Sequence, residues 1–285
     1  AAIIGETLIH EIGHYFGLSE QEIEEIEQKY WRGAPLDSDD DESLPRARKR
    51  FGQHFLEAAW ADKLIAALGT SPDDTFLEVG PGRGALTLAL APHVAGIVAV
   101  EIDRDLAAAL PARVPPNVRV VLGDFLRTDL DEVLRHVTLP VRVIGNLPYN
   151  VASPILFRLL HSAEHGRRFR DATLMLQKEV ADRIVAAPGS RTYGALSVGV
   201  RSVASVERVL SVPPGAFRPR PSVSSAVIRI VPFAPSVLSV EEEGDLRRFT
   251  RSVFQWRRKQ LGKILPPRED QEQEGQSSLE RNHHA

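Results

Sequence analysis

Two short stretches hold side chains whose types and spacing could do chemistry. In "GNLPYN" (145–150), Asn146 offers an amide oxygen, Leu147 and Pro148 offer backbone carbonyls, and Tyr149 offers a flat ring. The exocyclic amine of an aromatic base is a poor nucleophile because its lone pair is delocalised into the ring. Acceptors that take its hydrogens push electron density back onto nitrogen, and a stacked ring holds it in line with an electrophilic carbon. In "TLIHEIGHYFGLSE" (7–20), His10 and His14 lie four apart. A helix would put both imidazoles on one face to bind Zn²⁺, with Glu11 as general base and Glu20 at the position of a third ligand.

Each constellation needs elements to position it. A zinc peptidase needs a sheet edge before its helix to hold substrate as an added strand, yet only nine residues precede His10. After Gly17, Ser19 and Glu22 form a capping box, and Ile23, Ile26 and Tyr30 repeat at helical spacing, giving one further amphipathic helix. Residues 1–32 are therefore read as a helical fragment resembling the C-terminal end of small zincin-like metallopeptidases, the tail of an upstream domain in a chain that opens on Ala. His10, His14 and Glu20 are its only metal candidates, and no bound metal is expected. "GAPLDSDDDESLP" (33–45) follows as an acidic linker.

The net charge of −3 hides an asymmetry. Residues 1–45 carry two Lys/Arg against twelve Asp/Glu, whereas residues 46–265 carry 31 against 21. A basic middle attracts polyanions in a salt-dependent way. Cysteine is absent, which excludes disulfides, thiol catalysis and Cys-ligated metal. No apolar run is long enough to cross a bilayer and no signal-type segment opens the chain, so the expectation is a cytoplasmic protein without a membrane partner. "PPREDQEQEGQSSLERNHHA" (266–285) is polar throughout and is read as a disordered tail.

From Thr75, apolar strands alternate with amphipathic helices: "TFLEVG", "GALTLALAPHV", "GIVAVEID", "RDLAAALPARV", "VRVVLGDF", then "VRVIGNLPY" and "SPILFRLLHS". The rhythm predicts an α/β fold with a parallel sheet covered on both faces, its ligand at the carboxyl ends of the strands. In the first such loop Gly80, Gly82 and Gly84 permit close backbone approach. Glu101, 21 residues beyond Gly80, ends the next strand where a carboxylate can accept both hydroxyls of a ribose. Asp124 ends the third, where it could receive an adenine amino group. The glycines run G-x-G-x-G rather than G-x-G-x-x-G, and no hydride-transfer machinery is apparent. S-adenosylmethionine, which has no phosphates and needs no anion cradle, is preferred over NAD.

With these residues in place, "RKRFGQHFL" (48–56), "FLEVGPGRGALT" (76–87), "GNLPYNVASPILF" (145–157), "LMLQKEVADRI" (174–184), "VPPGAFRPRPSVSSAVIR" (212–229) and "FQWRRKQL" (254–261) resemble, in order, the ribosomal RNA adenine N6-dimethyltransferase family. The likeness is nearer the small-subunit branch than the branch acting on the large subunit. It implies a Rossmann-like methyltransferase domain over 46–232 and a shortened helical C-terminal domain over 233–265. His54, Leu56, Gly80, Gly82, Glu101, Asp124 and Asn146 would bind S-adenosylmethionine. Asn146, Leu147, Pro148 and Tyr149 would hold the target amine, and Phe217 would be an exposed second aromatic wall around a flipped base. Arg46, Arg48, Lys49, Arg50, Arg218, Arg220, Arg257, Arg258 and Lys259 would grip RNA phosphates.

The implied activity is dimethylation of two adjacent adenines near the 3′ end of small-subunit ribosomal RNA, by a monomer acting on the pre-30S particle. Two other readings are an assembly factor that binds pre-ribosomal RNA without turnover, and a zinc peptidase built on the His10–His14 pair.

Overall fold

The structure, a computed structural model, describes residues 53–164, 168–234 and 236–255. The metal candidates His10, His14 and Glu20, the acidic linker, the basic residues at 46–50 and 257–259, and the polar tail lie outside these residues.

Strands and helices follow in the order β1 (Phe55–Leu56), α1 (Ala58–Ala67), β2 (Thr75–Val79), α2 (Ala85–Leu90), β3 (Gly96–Glu101), α3 (Arg104–Ala109), β4 (Val118–Leu122), α4 (Leu130–Val133), β5 (Val141–Asn146), α5 (Ala152–Glu164), β6 (Phe169–Gln177), α6 (Lys178–Val185), α7 (Ala195–Arg201), β7 (Ala204–Val212), β8 (Phe217–Arg218), β9 (Ser225–Pro232) and α8 (Val240–Phe254). A seven-stranded sheet runs β4-β3-β2-β5-β6-β9-β7, and β1 pairs with β8 in a separate ribbon. From β4 to β6 the pairing is parallel. The expected parallel sheet is present from β4 to β6, and it is extended at one edge by β9, which pairs antiparallel with both β6 and β7. β7 and β9 are joined without a crossover helix, and a parallel pair cannot be linked in that way.

Sequence pattern explains which strands sit where. β3 and β5 are apolar nearly throughout and buried on both faces, as central parallel strands must be. β4 at the edge alternates between half-buried and exposed positions. Two cores result. One packs α4, α5, α6 and α7 against residues such as Leu77, Val143 and Leu174. The other packs α1, α2 and the β1–β8 ribbon against Phe76, Ile97 and Ile144. Helices α2 and α3 each end in a 3₁₀ turn that contains a proline, Pro92 and Pro111, because proline lacks the N–H that would continue the α-helical ladder.

Strand order reverses between β2 and β5: the chain leaves β2 toward β3 and β4, then returns to β5 on the other side. In a doubly wound sheet the crevice outside the carboxyl ends of those two strands is the binding position. The Gly80 loop follows β2 there, and Asn146 is the last residue of β5.

At the opposite end of the sheet, Arg142 lies in the core at 1% exposure. Its Nε donates to Asp171 Oδ1 at 2.9 Å and its Nη1 to Asp74 Oδ2 at 2.9 Å. The rest of its fork donates to the carbonyls of Leu68 and Gly69, just past the end of α1. Those are carbonyls that a helix C-terminus leaves unpaired, and a cation is favoured beside them. Burial pushes the Asp74 carboxyl up, but the Ser71 amide and the Arg142 and Arg170 guanidiniums outweigh it and hold the group below its ordinary value.

Candidate active site

At the switch point lies an open cleft of about 750 Å³, its mouth included, a size that admits a nucleoside-sized ligand. Gly80, Gly82 and Glu101 form one wall; His54 and Leu56 another; Asn146, Leu147, Pro148 and Tyr149 the third. Nine of the residues expected from sequence thus converge on one cavity, although they are drawn from four separate segments.

The glycine loop is shaped by backbone conformation. Gly80 and Gly82 have φ of +67° and +58°, in the left-handed region that favours glycine. A Cβ on Gly82 would stand 3.2 Å from the Phe55 ring, while a Cβ on Gly80 would meet nothing within 4 Å. The loop therefore closes tightly against β1 at Gly82 and leaves open space at Gly80, room that a ligand can use.

Glu101 ties the loop to the next strand. Its Oε2 accepts from the Gly82 amide and its Oε1 from the Asp103 amide, both at 2.9 Å. These bonds fix the carboxylate at the strand end with one lone pair left on each oxygen for a diol. Burial raises its pKa, against which the Asp103 and Gly82 amides act. Ile102, next in the chain, is 46% exposed and lines the same cleft, offering a flat apolar rest for a base.

Asn146 is oriented by a specific contact. Its Nδ2 donates to the backbone carbonyl of His54 at 2.9 Å. A carbonyl only accepts, so the amide nitrogen must face it and Oδ1 is left as the acceptor end. In the turn that follows, the Leu147 amide donates to Met175 O at 3.1 Å, which continues the β5–β6 ladder, and the Pro148 carbonyl accepts from the Val151 amide at 3.1 Å. Among the described residues no backbone amide bonds the Leu147 carbonyl, so of the two carbonyls expected as acceptors Leu147 is the better placed. His54 contributes through ring and backbone together: Nδ1 donates to Pro219 O at 2.8 Å, and the ring stacks on Tyr149 with centroids 5.7 Å apart.

Two sequence expectations place differently. Phe217 is not an exposed wall: it is 1% exposed and belongs to the core cluster with Leu56, Met175 and Val227. Its pairing with Leu56 in the β1–β8 ribbon turns the ring inward. The flanking prolines and arginines that suggested exposure belong to the polypeptide around it, and Arg218 alone takes the outward face of that two-residue strand. Asp124 lies two residues past the end of β4 and outside the cleft lining. Its Oδ1 accepts from the Leu126 amide at 2.9 Å, capping a turn.

One charged residue of the cleft escaped sequence reasoning. Glu78 lines the cleft, is 1% exposed, and accepts from the Thr87 hydroxyl at 2.7 Å. Burial, with the Glu101 charge nearby, raises its pKa to about 7. A charged residue inside an otherwise apolar strand, "TFLEV", was the available signal.

A carboxylate at Glu101 suits the ribose of a dinucleotide and of S-adenosylmethionine alike. The second buried carboxylate, Glu78, lines the same cleft and offers opposite charge to a sulfonium donor. Among the described residues there is no cluster able to hold a metal ion. Such a pocket, at the switch point of such a sheet and with Asn146 closing β5, suits an α/β methyltransferase.

Comparison with known proteins narrows the class. Residues 45–280 match the family described as ribosomal RNA adenine dimethylase, and residues 1–30 match one described as zincin-like metallopeptidase. The ribosomal RNA small subunit methyltransferase A of Acidithiobacillus ferrooxidans is 42% identical over 224 residues, 78% of this chain and 82% of that protein. The protein of the same name from Syntrophotalea carbinolica is 44% identical over 221 residues, 77% and 82% of the two chains. Among solved structures, a dimethyladenosine transferase from Plasmodium falciparum is 30% identical with a TM-score of 0.63, covering 74% of each chain. The 23S rRNA methyltransferase ErmE is 27% identical with a TM-score of 0.58, covering 71% and 79%. The chain belongs to the ribosomal RNA adenine dimethylase family.

Proposed function

We propose that the chain transfers methyl groups from S-adenosylmethionine to N6 of two adjacent adenines near the 3′ end of small-subunit ribosomal RNA, as a cytoplasmic monomer acting on the pre-30S particle. The observation that carries this reading is the Asn146 amide, turned by the His54 carbonyl so that its oxygen is the acceptor at the mouth of a cleft with buried carboxylates. The 42–44% identity to proteins named for the small subunit supports that branch over the large-subunit one. No helix among the described residues is long and apolar enough to cross a membrane.

The residues present fit the donor: Glu101 for the ribose hydroxyls, Ile102 for the adenine face, the open space at Gly80 for the methionine part, and Glu78 for positive charge. Bound there, S-adenosylmethionine supplies a methyl group on a good leaving group. Asn146 Oδ1 and the Leu147 carbonyl would accept the two N6 hydrogens, and Tyr149 would stack on the base, offsetting part of the few kcal/mol that extrusion costs. No dedicated base is needed, because a methylated arylammonium sheds its proton readily. The test is tritiated methyl transfer to undermethylated small subunits followed by nucleoside analysis. N6,N6-dimethyladenosine is expected; absence of label, or label in another nucleoside, overturns the assignment.

Donor binding should depend on pH through Glu78. The group is neutral below about 7 and ionised above, and a cationic donor favours the ionised form, so binding releases a proton. Affinity therefore rises with pH through about 7 and then levels. The donor's own amine titrates nearby, so Glu78→Gln is the control: calorimetry in buffers of different ionisation heat should show fewer protons released by the variant.

A further inference from the structure

Tyr149 is held at two points that the proposed reaction does not by itself explain. Its hydroxyl lies 2.8 Å from Ser225 Oγ, and its ring stacks on His54, whose Nδ1 is in turn fixed on Pro219 O. Ser225 is itself buried within the sheet. It is 0% exposed, opens β9, and stands in register with Gln177 of β6 and Val212 of β7. The neighbouring Ser224 carbonyl accepts from the Lys178 amide at 2.9 Å. A hydroxyl at that point is anchored by three strands at the site's end of the sheet.

We infer that Ser225 is a positioning residue, which pins the hydroxyl end of the Tyr149 ring while the stacked His54 ring sets its plane, so that a target base stacked on Tyr149 is presented to Asn146 at one place and angle. This rests on the proposed function for what Tyr149 stacks on, but the tether itself does not. A phenol ring has one strong polar handle; with it bonded the ring cannot swing about χ1 without leaving a buried hydroxyl unpaired, and rotation about χ2, which leaves the hydroxyl in place, is opposed by the stacked His54 ring. Holding the reacting atoms to such a tolerance is worth much in rate, since small misplacements cost one to two orders of magnitude. Sequence gave no sign of this residue: Ser224 and Ser225 are adjacent in "SVSSAV", and only strand register decides which one points to the site.

The experiment compares Ser225→Ala, Tyr149→Phe and the double variant in the full chain. Each single change is expected to lower kcat for methyl transfer about tenfold, with donor Kd and melting temperature near those of the wild type, and the double variant is expected to lose no more than either single one. A second readout needs no turnover. The chain has four tyrosines, so 3-fluorotyrosine labelling gives a resolvable ¹⁹F spectrum in which Tyr149→Phe identifies the Tyr149 line. That line should shift and broaden in Ser225→Ala. An unchanged line, a wild-type kcat in Tyr149→Phe, or losses that multiply in the double variant would overturn the inference, and should Ser225→Ala not fold, the kcat of Tyr149→Phe decides it. A wild type that transfers no methyl to ribosomal RNA would instead overturn the proposed function, leaving the ¹⁹F comparison to judge the tether.

Discussion

Replacing Arg142 with alanine is expected to destabilise the fold by about 3–5 kcal/mol, the cost of removing one partner from a buried charge network. Asp171, 1% exposed, and Asp74, 6% exposed, would lose their main buried counter-ion. Arg170 and Arg229 still reach them, at 3.0 and 2.7 Å, but from half-exposed positions. The two carbonyls beyond α1 would lose their donors as well. Lysine should rescue little, because a point ammonium cannot replace a planar fork that bonds four acceptors in different directions. Urea unfolding checks this: the midpoint falls while the slope stays the same. Arg142 precedes Asn146 by four strand residues, about 13 Å. The kcat of the folded fraction should therefore be unchanged, separating this loss from one at the site.

That network marks where sequence was opaque. "VRVIGN" reads as a buried strand with an arginine out of pattern, and nothing local shows that Asp74 and Asp171, 68 and 29 residues away, converge on it. The parallel strands were legible because burial on both faces demands a mainly apolar run, and β2, β3 and β5 are mainly apolar, with Glu78 and Arg142 the charged exceptions inside β2 and β5. The antiparallel edge was not, since β7 and β9 carry no helix between them to announce a crossover. The convergence of Gly80, Gly82, Glu101 and Asn146 on one cleft was legible because each sits at the carboxyl end of a strand, where ligands of such sheets bind. Phe217 misled for the converse reason. Its neighbours in sequence are polar or proline, but its partner in space is Leu56, and a two-residue ribbon is too short to show an alternating pattern. Asp124 lies two residues past the strand end, where its Oδ1 caps its own turn, a position that the strand pattern does not reveal.

Asn146→Ala is expected to lower methyl transfer by about 10²–10³-fold, the range for removing one group that stabilises charge developing in a transition state. The side chain's oxygen is the one acceptor in the turn whose direction is set by a bond at its other end, to the His54 carbonyl, so water cannot replace it at the same angle. The loss should fall on kcat, with donor Kd changed little, because the ribose and adenine contacts attributed to Glu101 and Ile102 are untouched. Asn146→Asp is the sharper variant. It keeps an acceptor oxygen but sets a carboxylate against the His54 carbonyl, so the side chain must turn away. A rate as low as that of alanine would show that orientation, not the presence of an acceptor, carries the effect, whereas a rate near wild type would show that any oxygen at that position suffices. Complementation adds a separate axis. If Asn146→Ala removes dimethyladenosine from the small subunit yet restores growth to a strain lacking the enzyme, binding to the particle outweighs turnover in the cell. If growth fails along with methylation, the chemistry at Asn146 is what the cell requires of the protein.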